Sequence, residues 1–471
     1  MSKTIKIDPV TRIEGHARIL LDCDDSGAVS NASFCVNELR GFERILVGME
    51  ASSMPQITAR ICGVCPTAHH LVAAKALDNA AGVEPPTAAK LLREFMYMGH
   101  YIHSHCLSLF VLAGPDLVFG LNGKMATQNI VGMVDAEPDL TKKGLRLRSL
   151  GQKINETIGG RGIHPVTAVA GGISFKLSDG QFTRLQELTA ESVQLVNELA
   201  AKTKNLLFSL LDKNPVLLEK LNSESWYLGT VKGGKLSVYD GELRAMDNHG
   251  NIKAEFTAAS YREMMTERAV QNSYAKEVFL NIDGGEQMYR VGPLARINVA
   301  DAMETPLAQK EFELFKQNFS TPCHNAVLQM YAKLIELVYA CEKAHEIINN
   351  PELRGETRVP ASFKGGRGTA HIEAPRGTLI HDFDIDERGI VRAANMIIAT
   401  QQNTAAINNS LKEGANNLLQ ETDDEAMLNG LEFVVRCYDP CLACSTHAIG
   451  KMELDVEIRQ NGSIVRRLKR R

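Results

Sequence analysis

Four cysteines are spaced to hold metal: Cys62 and Cys65 in Arg60-Ile-Cys-Gly-Val-Cys65, Cys441 and Cys444 in Asp439-Pro-Cys-Leu-Ala-Cys444. His69 lies four residues beyond the first pair and His447 three beyond the second. A Cys-x-x-Cys loop can aim two thiolates at one ion, so the pairs make a four-sulfur site once folding joins them. The separation is the informative part. Zinc modules that hold a mini-domain together keep their halves roughly 15–20 residues apart. Here 375 residues lie between Cys65 and Cys441. A site that costs so much loop closure suits the functional centre of a large domain.

The elements that must position these residues are mostly helical. Thr4–Asp8, Ala17–Cys23 and Ala32–Leu39 read as a β-meander split by Asp24-Asp-Ser-Gly27. Pro85-Pro86 opens an apolar run over Thr87–Ala113, stopped by Gly114-Pro115, which predicts a helix inside a bundle. Gln181–Lys213 has the apolar spacing of a long amphipathic helix, and Cys323–Asn350 predicts a third. Trp226–Asp247 and Val278–Ile297 carry Gly-rich turns and β-type residues, and so predict a smaller β-containing insertion over about 220–300. Thr378–Ala394, broken at Asp386-Glu-Arg-Gly389, reads as a hairpin leading into a helix around Thr400–Leu419. Gly365-Gly-Arg-Gly368 is like a phosphate loop only superficially, because a hairpin rather than a helix follows it. The expected class is α+β, mainly α: a central long-helix bundle with small peripheral sheets. With the signature halves at the two ends, residues 1–447 are expected to form one interwoven domain.

Composition sets the outer bounds. At 471 residues, 44% hydrophobic and 23% charged, the chain can bury a large core. A net charge of −4 gives no reason to expect nucleic acid. No run of 18 or more apolar residues suggests a membrane span. Met1-Ser-Lys-Thr-Ile-Lys-Ile-Asp8 has neither an apolar h-region nor twin arginines, and ten cysteines are too sparse for a disulfide scaffold. The expected compartment is the cytoplasm. Cys23, Cys35, Cys106, Cys323, Cys341 and Cys437 lack cluster spacing, so they are expected to be structural.

Six motifs then occur in order: Val10-Thr-Arg-Ile-Glu-Gly-His16, Arg40-Gly-Phe-Glu43, the first cysteine pair with His69, Gly160-Arg-x-x-His-Pro165, Glu373-Ala-Pro-Arg-Gly377, and the second pair with His447. Over its whole length the chain resembles large subunits of nickel–iron hydrogenases, with the fold shared by the quinone-site subunit of respiratory complex I. The resemblance implies reversible cleavage of H2, with Cys62 and Cys441 terminal on nickel. It makes Cys65 and Cys444 bridges to an iron carrying carbon monoxide and two cyanides. Soft thiolates suit a nickel that changes oxidation state. A closed zinc tetrathiolate would need neither the Glu-Gly-His nor the Ala-Pro-Arg-Gly segment.

Roles for other residues follow from the same resemblance. His69 could donate a hydrogen bond to a bridging sulfur. Arg376 would lie over the bimetallic pocket, held by Asp116 and Asp439, with its fixed fork on cyanide and hydrogen. Pro375 and Thr400 would join the cofactor-binding set, Thr400 as hydroxyl to the other cyanide. Glu14 would relay protons from Cys441, a task for a buried carboxyl with a raised pKa; pairing with Arg12 at a strand end is the bland alternative. Glu43, His447 and the carbonyl of Met396 would hold a third metal, magnesium or iron. His100, His103 and His105 read mainly as packed or interface histidines.

Partners are implied too. Electrons need an iron–sulfur small subunit, and beyond it heterodisulfide reductase or NAD(P)- or deazaflavin-linked modules; the segments here lean towards the methyl-viologen-reducing type that feeds heterodisulfide reductase. Ala448–Arg471 resembles the extension that a maturation endopeptidase removes after nickel chaperones load the metal. Those 24 residues contain a plausible hairpin and carry seven Lys/Arg against three Asp/Glu. A complex I subunit generally lacks the full cysteine quartet, and a regulatory hydrogen sensor usually lacks the extension.

Overall fold

The computed structural model describes residues 3–39, 41–121, 123–124, 126–271, 273–418, 424–446, 454–460 and 463–470. The N-terminal meander pairs Lys3–Ile7, Ala17–Cys23 and Val29–Val36 in antiparallel order. Its second turn forms where Asp24 Oδ1 accepts from the Ser26 and Ala28 N–H groups, an Asx-type turn expected of this residue. The third strand starts earlier than the sequence suggests, at Val29, because Asn416 clamps both the N–H and the carbonyl of that residue.

The long helices lie close to where apolar spacing and Pro/Gly breakers predict them. Thr87–Leu107 is buried nearly all round, then widens into a π-turn at Ser108–Leu112 before Gly114–Phe119. Such bulges gather at functional sites. Asp179–Lys213 begins in a capping box between Ser178 and Gln181. The third helix starts at Gln329, six residues later than expected, after a 3₁₀ turn that Asn325 caps. Four longer helices go beyond the sequence reading, Pro306–Asn318, Asp424–Tyr438, Pro66–Ala81 and Pro138–Gly159, the last two of which pack around the site helix Thr87–Leu107. Pro138–Gly159 crosses Thr87–Leu107 so closely that a Cβ on Gly151 would stand 2.6 Å from the Gly99 carbonyl oxygen.

The insertion holds Trp226–Lys232, Glu242–Met246 and Ile252–Phe256, with Tyr289–Arg290 added in parallel, beside a second small sheet around Glu277–Ile282. Pro293–Val299, expected as β, is a helix: Pro293 takes the first position and Gly292 accepts the first turn's hydrogen bond from Arg296. The insertion's apolar cluster includes Ile380, Ile397 and Ala399 from outside it. One sheet is internal. Gly366–Ala374, Gly377–Ile385 and Val391–Ile397 form an antiparallel sheet packed on helix Pro66–Ala81. Gly368 explains the glycine-rich segment, since a Cβ there would lie 2.0 Å from the Ala76 carbonyl oxygen. Strands Leu454–Gln460 and Ser463–Arg470 pair as a hairpin; its Asn461-Gly462 turn lies outside the described residues.

Candidate metal centre

Cys62 leaves the turn Ala59–Ile61 in an extended conformation, and Cys65 precedes helix Pro66–Ala81. Proline is tolerated at that first helical position because its missing N–H would have no intrahelical partner. Cys441 arrives from the other end of the chain beside Glu14, where the Leu442 N–H donates to the Glu14 carbonyl. One helical turn, Leu442–Ser445, then brings Cys444 round.

The four sulfurs converge. Cys441 Sγ is 3.2 Å from Cys62, 3.9 Å from Cys65 and 2.9 Å from Cys444, while Cys65 is 3.1 Å from Cys444. All are buried and within 4.8 Å of one another. Sulfurs bonded at about 2.3 Å to one tetrahedral ion would stand about 3.8 Å apart, so the cluster has the scale of a metal site. Its electrostatics ask for a cation. Burial pushes the Cys441 and Cys444 thiols up, whereas hydrogen bonds from neighbouring thiols pull Cys62 down. A buried group of soft donors cannot ionise together unless positive charge sits among them. The residues therefore fit a resident metal.

Arg376 lies at the two-residue turn between Ala374 and Gly377 of the internal sheet. It donates from Nη2 to Asp439 at 3.1 Å and from Nη1 to Ser104 at 3.3 Å. Burial works against its charge, but Asp439 and the sulfurs of Cys441, Cys65 and Cys62 outweigh it. Asp439 itself has φ 51°, a left-handed conformation that Asp tolerates better than most. Asp116 does not hold this arginine. It accepts paired bonds from Arg12 and from Arg436 instead, at 2.7–2.9 Å, and so ties the short helix Gly114–Phe119 to segments near both chain ends.

Glu14 Oε2 accepts from the Ala443 N–H at 3.0 Å. Burial first, then Cys62, raises its pKa; the Ala443 N–H, the Cys441 thiol and Arg376 oppose the rise. Arg12 is engaged by Asp116, so the bland pairing with Glu14 does not form. Thr400 Oγ1 accepts from the Cys441 N–H at 2.8 Å, and its own hydrogen is left for another acceptor. Thr400 and Arg376 border a small apolar cavity with Leu379, Ile398 and Ala399. His69 Nε2 is 3.4 Å from Cys444 Sγ, and its Nδ1 is 3.1 Å from His381 Nε2.

Of the third metal's expected ligands, Glu43 is half-buried on Phe42–Leu46, which packs on the strand carrying buried Met396. His447 lies outside the described residues. Sequence reasoning missed the support beneath the Arg376 turn. Fully buried Arg296 donates to Glu373, Glu336 and the carbonyls of Ala374 and Pro375. His105 joins Glu336 at 2.9 Å. The signal was present: Glu373 precedes Ala-Pro-Arg in an apolar run, and a buried carboxylate needs a partner.

The fold and site together define a large subunit of a metal-dependent hydrogenase. A family model for Nickel-dependent hydrogenase matches residues 40–129 and 220–447, and a HoxL-like model matches residues 4–39. The corresponding subunit of the F420-non-reducing hydrogenase vhc of Methanococcus voltae is 37% identical, covering 98% of this chain and 99% of its own. The NAD-reducing hydrogenase HoxS subunit beta of Cupriavidus necator is 35% identical over 97% of both. The crystal structure of an NAD+-reducing [NiFe]-hydrogenase in the H2-reduced state matches with a TM-score of 0.88 at 32% identity, over 94% of this chain and 99% of that one. This chain belongs to the nickel-dependent hydrogenase family, as a large subunit, and is an oxidoreductase. Among the described residues no helix is long and apolar enough to cross a membrane.

Proposed function

We propose that Cys62 and Cys441 are terminal ligands of nickel and that Cys65 and Cys444 bridge it to an iron bearing carbon monoxide and two cyanides. The observation that carries this reading is the convergence of four buried sulfurs beneath an arginine held by Asp439. When bound, the metals supply heterolytic cleavage of H2 into protons and electrons. The chain's own residues do the rest. Arg376, fixed by Asp439 and Ser104, offers a positive fork to the cofactor's polar ligands, with Thr400 as a second donor and Pro375 in the same turn. Glu14, bonded to the Ala443 N–H and next to Cys441, takes the proton outward. Glu43, Met396 and His447 complete a third site for magnesium or iron.

Electrons leave through another chain. Among the described residues the quartet is the sole group of three or more potential ligands, and the other six cysteines are single and buried. An iron–sulfur small subunit takes the electrons and passes them to a cytoplasmic acceptor, heterodisulfide reductase before NAD(P) or deazaflavin modules. Residues 1–447 form one interwoven domain, and Ala448–Arg471 is removed once nickel chaperones have loaded the site. Metal analysis of the purified complex, paired with hydrogen-dependent dye reduction, tests the centre. About one nickel per chain and activity are expected, both lost in Cys62→Ser. Zinc in place of nickel would sink the proposal. Intact mass tests the cleavage: an active chain still ending at Arg471 contradicts it.

A further inference from the structure

The His69–His381 pair has a direction that distances alone leave open. Both rings are fully buried, and their side-chain partners are each other, the Cys444 sulfur and the Phe383 ring, with no carboxylate among them to hold a buried positive charge. Each is therefore neutral, with a single N–H to give. On the proposed reading, which this step rests on, Cys444 is a metal-bound thiolate and can only accept. His69 Nε2, 3.4 Å away, must then carry the hydrogen. That leaves His69 Nδ1 a bare lone pair, 3.1 Å from His381 Nε2, which must in turn be the donor. The other end of the relay agrees. His381 Nδ1 has no protein partner among the described residues, and an unprotonated nitrogen is the form that leaves no buried N–H unmet. Phe383, edge-on to the ring at 5.7 Å, offers no polar atom.

We propose that His381 is a positioning residue: its Nε2–H donates to His69 Nδ1 and so fixes His69 as the tautomer whose Nε2–H donates to the Cys444 sulfur. Without that donor, His69 is free to protonate at Nδ1 and turn a bare nitrogen towards the sulfur. A hydrogen bond to a ligating sulfur withdraws electron density from it and helps to set the potential of the metal. His381 thus acts on the centre from beyond its ligands.

Neutron diffraction from the deuterium-exchanged holoenzyme tests the tautomers directly. Nuclear density for hydrogen isotopes is expected at Nε2 of both rings, and density at either Nδ1 overturns the proposal. In solution, His381→Gln, whose amide can still donate, should keep the nickel midpoint potential of the wild type. His381→Phe should shift it negative, because the sulfur regains its donating power. A Phe variant with unchanged potential and full nickel also overturns the proposal. Wild-type enzyme without nickel would instead overturn the metal-centre reading on which the proposal rests.

Discussion

At the residue scale the site separates holding from moving. Glu14 accepts a backbone N–H that the Gln carbonyl oxygen can accept as well, while the proton-carrying role needs a carboxyl. Glu14→Gln is therefore expected to retain nickel and lose most hydrogen oxidation, on the order of 10²-fold or more. Normal turnover with full nickel would remove Glu14 from the proton route. The cysteines and their flanking Glu14, Arg376 and Asp439 were legible because each sits in a short motif whose chemistry is local. His381 and Arg296 were not. Both act through partners far away in sequence, and neither residue has an unusual neighbour along the chain.

At the element scale, helix Thr87–Leu107 carries Ser104 to Arg376 and rests on Pro138–Gly159 through the Gly99–Gly151 contact. Gly151→Leu would force side-chain atoms into the backbone carbonyl of Gly99 and the His103 N–H. A loss of about 1–3 kcal/mol is expected, read as a lower calorimetric midpoint. The same helix holds Glu94, which burial pushes up to about 7 from an ordinary 4.5. Its folded pKa exceeds the unfolded one, so its contribution to stability is intact below about pH 4.5 and is lost as pH rises through 7. Glu94→Gln should accordingly melt higher than wild type at pH 8, by up to about 3 kcal/mol, and gain nothing at pH 4. Equal gains at both pH values would show that the carboxyl is not titrating in this window. The Pro85-Pro86 and Gly114-Pro115 boundaries made Thr87–Leu107 readable in advance, and periodicity made Asp179–Lys213 so. Pro66–Ala81 was hidden because it is buried on almost every side and so has little amphipathic contrast, and Pro293–Val299 because its neighbours are strands.

At the scale of the whole molecule, the β-rich insertion shares its apolar cluster with Ile380, Ile397 and Ala399, beside the turn that presents Arg376. It cannot unfold without exposing the wall of the site. Scanning calorimetry of the metal-loaded chain should show one transition; a separate early peak assigned to residues 220–300 would contradict the single-domain proposal.

The pairing of Glu14 with Cys441, and of Cys62 with Cys441 at 3.2 Å, also fixes an order in time. Synthesis runs at about 5–20 residues per second, so the stretch from Cys65 to Cys441 takes roughly 20–75 s to make. For that interval the cell holds a half-built nest of two thiols with no counterpart to close it. The first pair must be kept from oxidation and from scavenging stray ions until the second exists.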